Sequence, residues 1–347
     1  MGIGGRYGEG PFGDLQVHWL PVIPVCPSLV FSPIPLGRRG KGDTMVPRQR
    51  VVRINRTRRE VLRFLQGIAY LSPVLVLFGV FIFYPLVRSI MLSTFKTDLL
   101  GRPYEFAGIA QYRQIFNQGF GKSLVITLEY ALMTVVPEIT LSLILAAMAS
   151  WSLRGIGLFR LLFSSPIGIA VASSSVMFKM LYSPNAGVLN YLLRLMGGSG
   201  INWLTDPKWA LMSVAIVTLW RQLGYDTLHL LSGIQSIPAE IHESARLDGA
   251  GPWAMFWKIT LPMLSPVLMF ITITSTIAAL QSFGPINILT EGGPAGATRV
   301  VVYSLFREAF FNYNFGLASA QAIVLFLIVL VLTLLQFRRF ERSVFYQ

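Results

Sequence analysis

Apolar runs of about twenty residues or more recur along this chain, and that is the length a helix needs to cross the hydrocarbon core of a bilayer. Six such runs are expected to span, at Gly67–Met91, Leu124–Ala149, Leu158–Leu181, Trp209–Ile234, Ile259–Phe283 and Phe315–Phe337. Composition agrees: of 347 residues, 53% are apolar and only 13% are charged, where a soluble domain of this size carries about a quarter. The mean hydropathy is +0.59. Much of the surface must therefore meet lipid, and the fold class expected is an all-α integral membrane bundle of six spans with short interfacial helices.

The net charge of +13 invites a nucleic-acid reading, but its placement argues otherwise. Arg48, Arg50, Arg53, Arg56, Arg58, Arg59 and Arg63 lie immediately ahead of the first long apolar run, and Arg338, Arg339 and Arg342 follow the last. Arg154 and Arg160 occupy the short loop after the second span. Six spans put these three segments on one side, which the positive-inside rule assigns to the cytoplasm. Lys96, Arg102, Arg113 and Lys122 fall in the opposite loops and Arg88 at the adjoining end of the first span, so the bias rests mainly on the tails. A plasma membrane protein of a bacterium or archaeon, with both termini cytoplasmic and no nucleic-acid partner, is expected. Residues 1–65 read as a basic tail, 66–340 as the membrane domain and 341–347 as a short tail. Within the first tail, residues 1–44 are rich in Gly and Pro and expected to be disordered, and Met45 stands as an alternative translation start. Cys26 is the only cysteine, and His18, His229 and His242 are the only histidines, which excludes a disulfide framework and makes a thiolate or histidine metal site a poor reading.

The loop between the fourth and fifth expected spans, residues 236–258, has the most structured pattern. Ser236 suits an N-cap and Pro238 a first helical turn. Ile237, Ile241 and Ala245 recur at four-residue spacing and define one apolar face, with Glu243 and Arg246 off it. Gly249 and Gly251 are expected to end this helix through positive φ, and Pro252 and Trp253 to open a second one leading into the fifth span, where Pro262 bends it. The small residues Ser244, Ala245, Gly249, Ala250 and Gly251 allow close approach by another protein. From pattern alone, a plain amphipathic surface helix is an equal reading.

Glu243-Ser-Ala, then Gly249, then Ile259-x-Leu-Pro262 resembles the "EAA" loop of ABC-importer permeases, with Ser244 where that family usually has Ala. Leu231–Pro238, Leu247–Trp253, Tyr182–Asn190, Leu289–Pro294 and Gly316–Ala320 resemble the carbohydrate-uptake branch, which includes the larger permease of the maltose transporter. The resemblance covers roughly residues 66–347. It implies that Glu243, Ser244, Ala245, Asp248, Gly249, Ala250 and Gly251 dock into a separate ATPase, with Glu243 as the acidic anchor. It also implies a second homologous permease, two ATPase subunits and an extracytoplasmic solute-binding protein as partners. This chain itself would hold no cofactor, ATP and magnesium residing on the ATPase.

By the same resemblance, Thr218, Arg221, Gln222 and Tyr225 in the fourth span and Ser275, Ala279 and Ser282 in the fifth, with Gln281 adjacent, line the path of a sugar or sugar-like polyol. The asparagines that the family has at 279 and 282 are absent here. Amide, ring and hydroxyls suit a polyhydroxylated ligand, while helix–helix hydrogen bonding uses the same side chains. Arg221 keeps glycerol phosphate open as an alternative substrate. Glu129, Glu138 and Lys179 fall within expected spans and could pair there or reach the interface. Gly119-Phe-Gly121-Lys122-Ser123 mimics the end of a P-loop, but Phe116 stands where its first glycine should be and no strand precedes it, so it is not a nucleotide site. An ion-coupled secondary transporter would require repeat symmetry around broken helices and leaves the 243–262 pattern without a role. An intramembrane enzyme would require a nucleophile–base or metal constellation, and the sequence shows none.

Overall fold

A computed structural model describes residues 56–150 and 155–341 of the chain. The expectations for residues 1–44, the bases before Arg56, Arg154 and Arg342 lie outside the described residues. The chain divides into two units, Met1–Leu65 and Gln66–Gln347. The described part of the first is the opening of helix α1, and the rest of this section concerns the second.

Helix α1 (Arg56–Phe78) continues through a π-helical turn (Gly79–Phe83) into α2 (Tyr84–Leu92). A second π-turn, Phe256–Thr260, joins α10 (Pro252–Met255) to the short α11 (Leu261–Met263), which precedes α12 (Ser265–Leu280). Each π-turn closes with an N–H bonded five residues back, Tyr84 to Gly79 and Leu261 to Phe256. In each case the next residue is a proline, Pro85 or Pro262. Proline lacks an N–H and its ring crowds the carbonyl four residues earlier. A widened turn just ahead of it lets the helix pass that point.

Among the described residues, four stretches are long and apolar enough to cross a membrane: Phe64–Leu92, Phe120–Ala149, Ser265–Leu289 and Phe315–Glu341. No residue in the apolar window of the first is buried. The expected third span is not one rod. It consists of α5 (Ile156–Ser164), a 3-10 turn (Ser165–Gly168) and α6 (Val171–Leu181), and its halves meet at 106°. Pro166 and Gly168 interrupt the helix, and Ile169 and Ala170 are extended between the halves. Counting this pair as one span gives five. The remaining expected span is α8 (Pro207–Gln235), long enough at 29 residues but less apolar, because it carries Arg221, Gln222, Asp226 and His229.

Helices α4 (Phe120–Ala149) and α8 form the principal pair, and α12 packs across both. Helix α15 (Phe315–Glu341) packs on α2, on α3 (Ala110–Asn117), on α12 and on α14 (Val301–Phe310). The short α13 (Gly284–Leu289) lies against α6. Tyr130, Phe178, Tyr182, Val214, Val217 and Ile286 belong to the largest buried cluster. Irregular backbone at membrane depth is stable only where protein covers it, and α8 covers the broken span. Gly224 lies so near Phe163 O that a Cβ there would collide with it, and Ser164 Cα would be 3.2 Å away.

The chain is not wholly helical. Phe95–Thr97 (β1) and Pro103–Phe106 (β2) pair antiparallel, with Lys96 opposite Glu105 and a 2.9 Å ion pair between them. Phe95 and Phe106 meet edge to face. Asp98 Oδ1 accepts from the N–H groups of Leu100 and Arg102 and closes the turn. The pairing corrects the all-α expectation only locally; strands of three and four residues are too short to show alternation in sequence.

The two loops flanking α7 (Val188–Leu195) are held by Asn190. Its Nδ2 donates to Pro184 O (3.2 Å) and Ile201 O (2.9 Å), and its Oδ1 accepts from Ile201 N–H (3.1 Å) and Trp203 Nε1–H (2.9 Å). Asn190→Leu removes all four bonds. With each stranded buried group costing about 1–3 kcal/mol, the variant is expected to lose about 3 kcal/mol, seen as a lower melting temperature in detergent. An unchanged melting temperature would show that these loops hold without the side chain.

Candidate functional site

The loop after α8 forms a helix–turn–helix. Its first helix, α9, spans Ala239–Leu247, and its register differs from expectation at the start. Ser236 closes α8, its Oγ donating to Gly233 O at 2.8 Å, and Pro238 occupies the N-cap position of α9. The C-terminus forms as expected at Gly249, whose φ is +79°. Ala250 N–H bonds Ala245 O (2.9 Å) and Gly249 N–H bonds Arg246 O (3.1 Å), the paired closure that a left-handed glycine allows. Gly251, in contrast, is extended with φ −70° and caps α10.

Ile237 and Ala245 are buried and Ile241 is half-buried, so the expected apolar face is turned inward. Glu243, Ser244, Arg246, Asp248, Gly249 and Gly251 are exposed, and Ala250 is half-buried. Two large apolar side chains join them on the open surface: Leu247 is 89% exposed and Trp253 75%. Trp253 also meets the edge of Trp257. Neither Leu247 nor Trp253 is among the docking residues that the family resemblance implies. The signal existed, since Leu247 is apolar yet falls off the Ile237–Ile241–Ala245 stripe. Space above Gly249 and Gly251 is open, with nothing within 4 Å of a Cβ added at either. An uncovered surface combining the acids Glu243 and Asp248, Arg246, small residues and two large apolar side chains is suited to receiving another protein.

The expected path residues separate into groups. Tyr130 of α4, absent from the expected set, is completely buried, and its hydroxyl lies 2.7 Å from Thr218 Oγ1 and 3.1 Å from Ser282 Oγ. Arg221 and Gln222 are half-buried on α8, and Tyr225 is exposed with its ring 4.2 Å from that of His229. Arg221 Nε has no hydrogen-bond partner among the described residues. Ser275 is turned into the bundle, 3% exposed, with its Oγ 3.0 Å from Glu138 Oε1 and 3.3 Å from Asp226 Oδ2. Ala279 is buried with Ala131, Val135 and Leu280. These two therefore pack inside the helices rather than lining an open surface. Gln281 is exposed and borders a separate cavity of ≈ 300 Å³ lined by α15. No pairing of Lys179 with Glu129 or Glu138 forms: Lys179 Nζ donates to Ile288 O at 3.1 Å and Glu129 is exposed. Glu138 instead joins Asp226 through Ser275, tying α4, α8 and α12 together.

Long apolar helices, a polar α8 and an exposed helix–turn–helix together define a membrane protein of several spans. The chain belongs to the family described as "Binding-protein-dependent transport system inner membrane component", which it matches over residues 49–345. It is similar to the sn-glycerol-3-phosphate transport system permease protein UgpA of Agrobacterium fabrum, with 33% identity over 279 residues, 79% of this chain and 94% of the relative. The protein of the same name from Brucella abortus is 33% identical over 280 residues, 80% of this chain and 94% of the relative. Among solved structures, a chain of the bacterial alginate ABC transporter, in complex with its alginate pentasaccharide-bound periplasmic protein, superposes with a TM-score of 0.72 at 22% identity. That likeness covers 83% of this chain and 99% of the other, and it shows the fold.

Proposed function

We propose that this chain forms half of the translocation pathway of an ATP-driven importer for a sugar or sugar-like polyol, and that the surface around Glu243–Trp253 receives the ATPase. The observation that carries the reading is the exposure of Leu247 and Trp253 beside Glu243 and the open glycines. Tryptophan is among the residue types in which binding energy concentrates at protein interfaces. A second permease, two ATPase subunits and a solute-binding protein outside the membrane complete the assembly. ATP and magnesium are held by the ATPase.

In this reading both tails face the cytoplasm, and α8 and the broken pair α5–α6 count among six crossings. The solute meets Thr218, Arg221, Gln222 and Tyr225 on α8 and Gln281 and Ser282 beyond α12. Ser275 and Ala279 shape the path from behind. Glycerol phosphate is the second substrate reading, favoured by the names of the curated relatives and by Arg221, whose Nε has no hydrogen-bond partner among the described residues. Reconstitution with the co-purified subunits and uptake of labelled sugars, polyols and glycerol phosphate tests it. ATP-dependent accumulation of one of them supports the reading. Uptake driven by an ion gradient without ATP would overturn it.

A further inference from the structure

Helix α7 (Val188–Leu195) is amphipathic, with its polar side turned inward. Val188, Tyr191, Leu192, Leu195 and the following Met196 recur at spacings of three and four, which is one face of a helix. All five are between 47% and 77% exposed. The other side is held by protein. Asn190 makes its four bonds there, Arg194 Nη2 donates to Pro184 O at 3.1 Å, and Leu189 packs on the largest buried cluster. A helix whose outer face meets water carries the reverse pattern. An apolar stripe left open marks a surface that something covers.

The depth of α7 decides what that is. Its link to α8 is two hydrogen bonds long: Trp203 Nε1 donates to Asn190 Oδ1 at 2.9 Å, and Trp203 O accepts from Ser213 Oγ at 2.9 Å. Tyr182, at the end of α6, donates from its hydroxyl to Ser213 O at 3.0 Å. The 29 residues of α8 measure about 43 Å at about 1.5 Å each, against about 30 Å of hydrocarbon. Centred on the bilayer, α8 projects about 6–7 Å from each face. Ser213, six residues after Pro207, then lies within about 3 Å of the hydrocarbon boundary. The rings of Tyr182, Trp203 and Trp209 follow one another with centroids 5.6 Å apart at each step. Such aromatics gather at the membrane–water interface. Arg194 and Lys208 are exposed nearby, and basic residues beside an apolar face are the mark of a helix that lies in that interface.

We propose that lipid covers this face: α7 lies in the extracytoplasmic interface of the bilayer, its apolar stripe among the upper acyl chains and Arg194 and Lys208 at the level of the headgroup phosphates. Helices of this kind sink about 5–10 Å into the boundary between headgroups and chains. Bound in this way, α7 fixes the depth of the outer end of the broken span and of the start of α8. The inference rests on the reading of α8 as a crossing with both tails in the cytoplasm, and it is independent of the solute and of the ATPase.

Cys26 is the only cysteine, so Cys26→Ser gives a background for single nitroxide labels at Leu192→Cys, Leu195→Cys, Ser199→Cys and Ile216→Cys. Each full-length variant, with its co-purified subunits, is placed in vesicles of phosphatidylethanolamine and phosphatidylglycerol. Power-saturation electron paramagnetic resonance then compares collisions with oxygen, which concentrates in lipid, and with a water-soluble nickel chelate. Nickel collisions at 192 and 195 are expected several-fold below those at Ser199, an exposed position in the loop after α7, and oxygen collisions above them. The label at Ile216, exposed on α8, should be equally shielded from nickel. Water-like collisions at 192 and 195 with shielding at 216 overturn the proposal and leave α8 a crossing. Water-like collisions at 216 overturn both. Labels at 192 and 195 screened from both reagents reveal a second permease on α7, and screening that appears only when the solute-binding protein is added reveals that protein; either result overturns the proposal.

Discussion

Replacing Gly249 by aspartate is expected to reduce ATP-dependent uptake to below about a tenth of normal, with membrane insertion intact. Two effects of the substitution can be separated. Gly249 has φ +79°, a conformation that Asn and Asp tolerate better than other L-residues, so backbone strain is modest. The added carboxylate would stand beside Asp248 on the exposed surface proposed to receive the ATPase. A like charge set beside another in an interface costs several kcal/mol, and about 1.4 kcal/mol is tenfold in affinity. Gly249→Asn, equal in shape and neutral, is therefore expected to keep most of the activity. Co-purification of the ATPase with each variant is the direct measurement. If Gly249→Asp retained the ATPase and transported normally, or if both variants failed alike, charge at this surface would not be the cause.

Gly224→Leu is expected to have the largest effect on assembly of the bundle. The position faces the 3-10 break of the α5–α6 pair, where any Cβ collides with Phe163 O and lies 3.2 Å from both Ser164 Cα and Ile167 Cγ1. Overpacking of this kind typically costs about 1–3 kcal/mol, and here the colliding atoms are backbone, which cannot rotate away. Separation of α8 from the break would also expose irregular backbone to lipid. The yield of folded protein extracted from membranes, followed by size-exclusion chromatography, should fall several-fold. Gly251→Ala is the matched control, since Gly251 has ordinary φ and open space around it, and it should extract like the wild type. Normal yield of Gly224→Leu would mean that the bend is not held against α8.

The helix–turn–helix was legible because its signals are local. A four-residue apolar spacing, a glycine at the turn and a proline after it act within a few residues of themselves, and the closure at Gly249 formed as expected. The cap was misplaced by the same locality: Ser236 can close the helix before it as well as open the one after it, and only the packed chain chooses. Leu247 and Trp253 were visible as residues but not as surface, because exposure depends on what lies opposite them. The set around the path was less legible. Ser275 and Ala279 share a helix with polar neighbours, yet the approach of α4 and α8 buries both and places Glu138 and Asp226 beside the serine.

The length and apolarity of the runs and the scarce charge determined a multi-span membrane protein, since crossing lipid is a requirement each segment meets on its own, and the resemblance of the loop after the fourth span supplied the permease reading. Tertiary structure alone decided that the third span breaks at 106°, that Tyr130 joins Thr218 to Ser282, and that Asn190, tied to Trp203, turns the apolar side of α7 outward. Those outcomes depend on side chains brought together from distant parts of the chain, and no spacing along the chain records such distances.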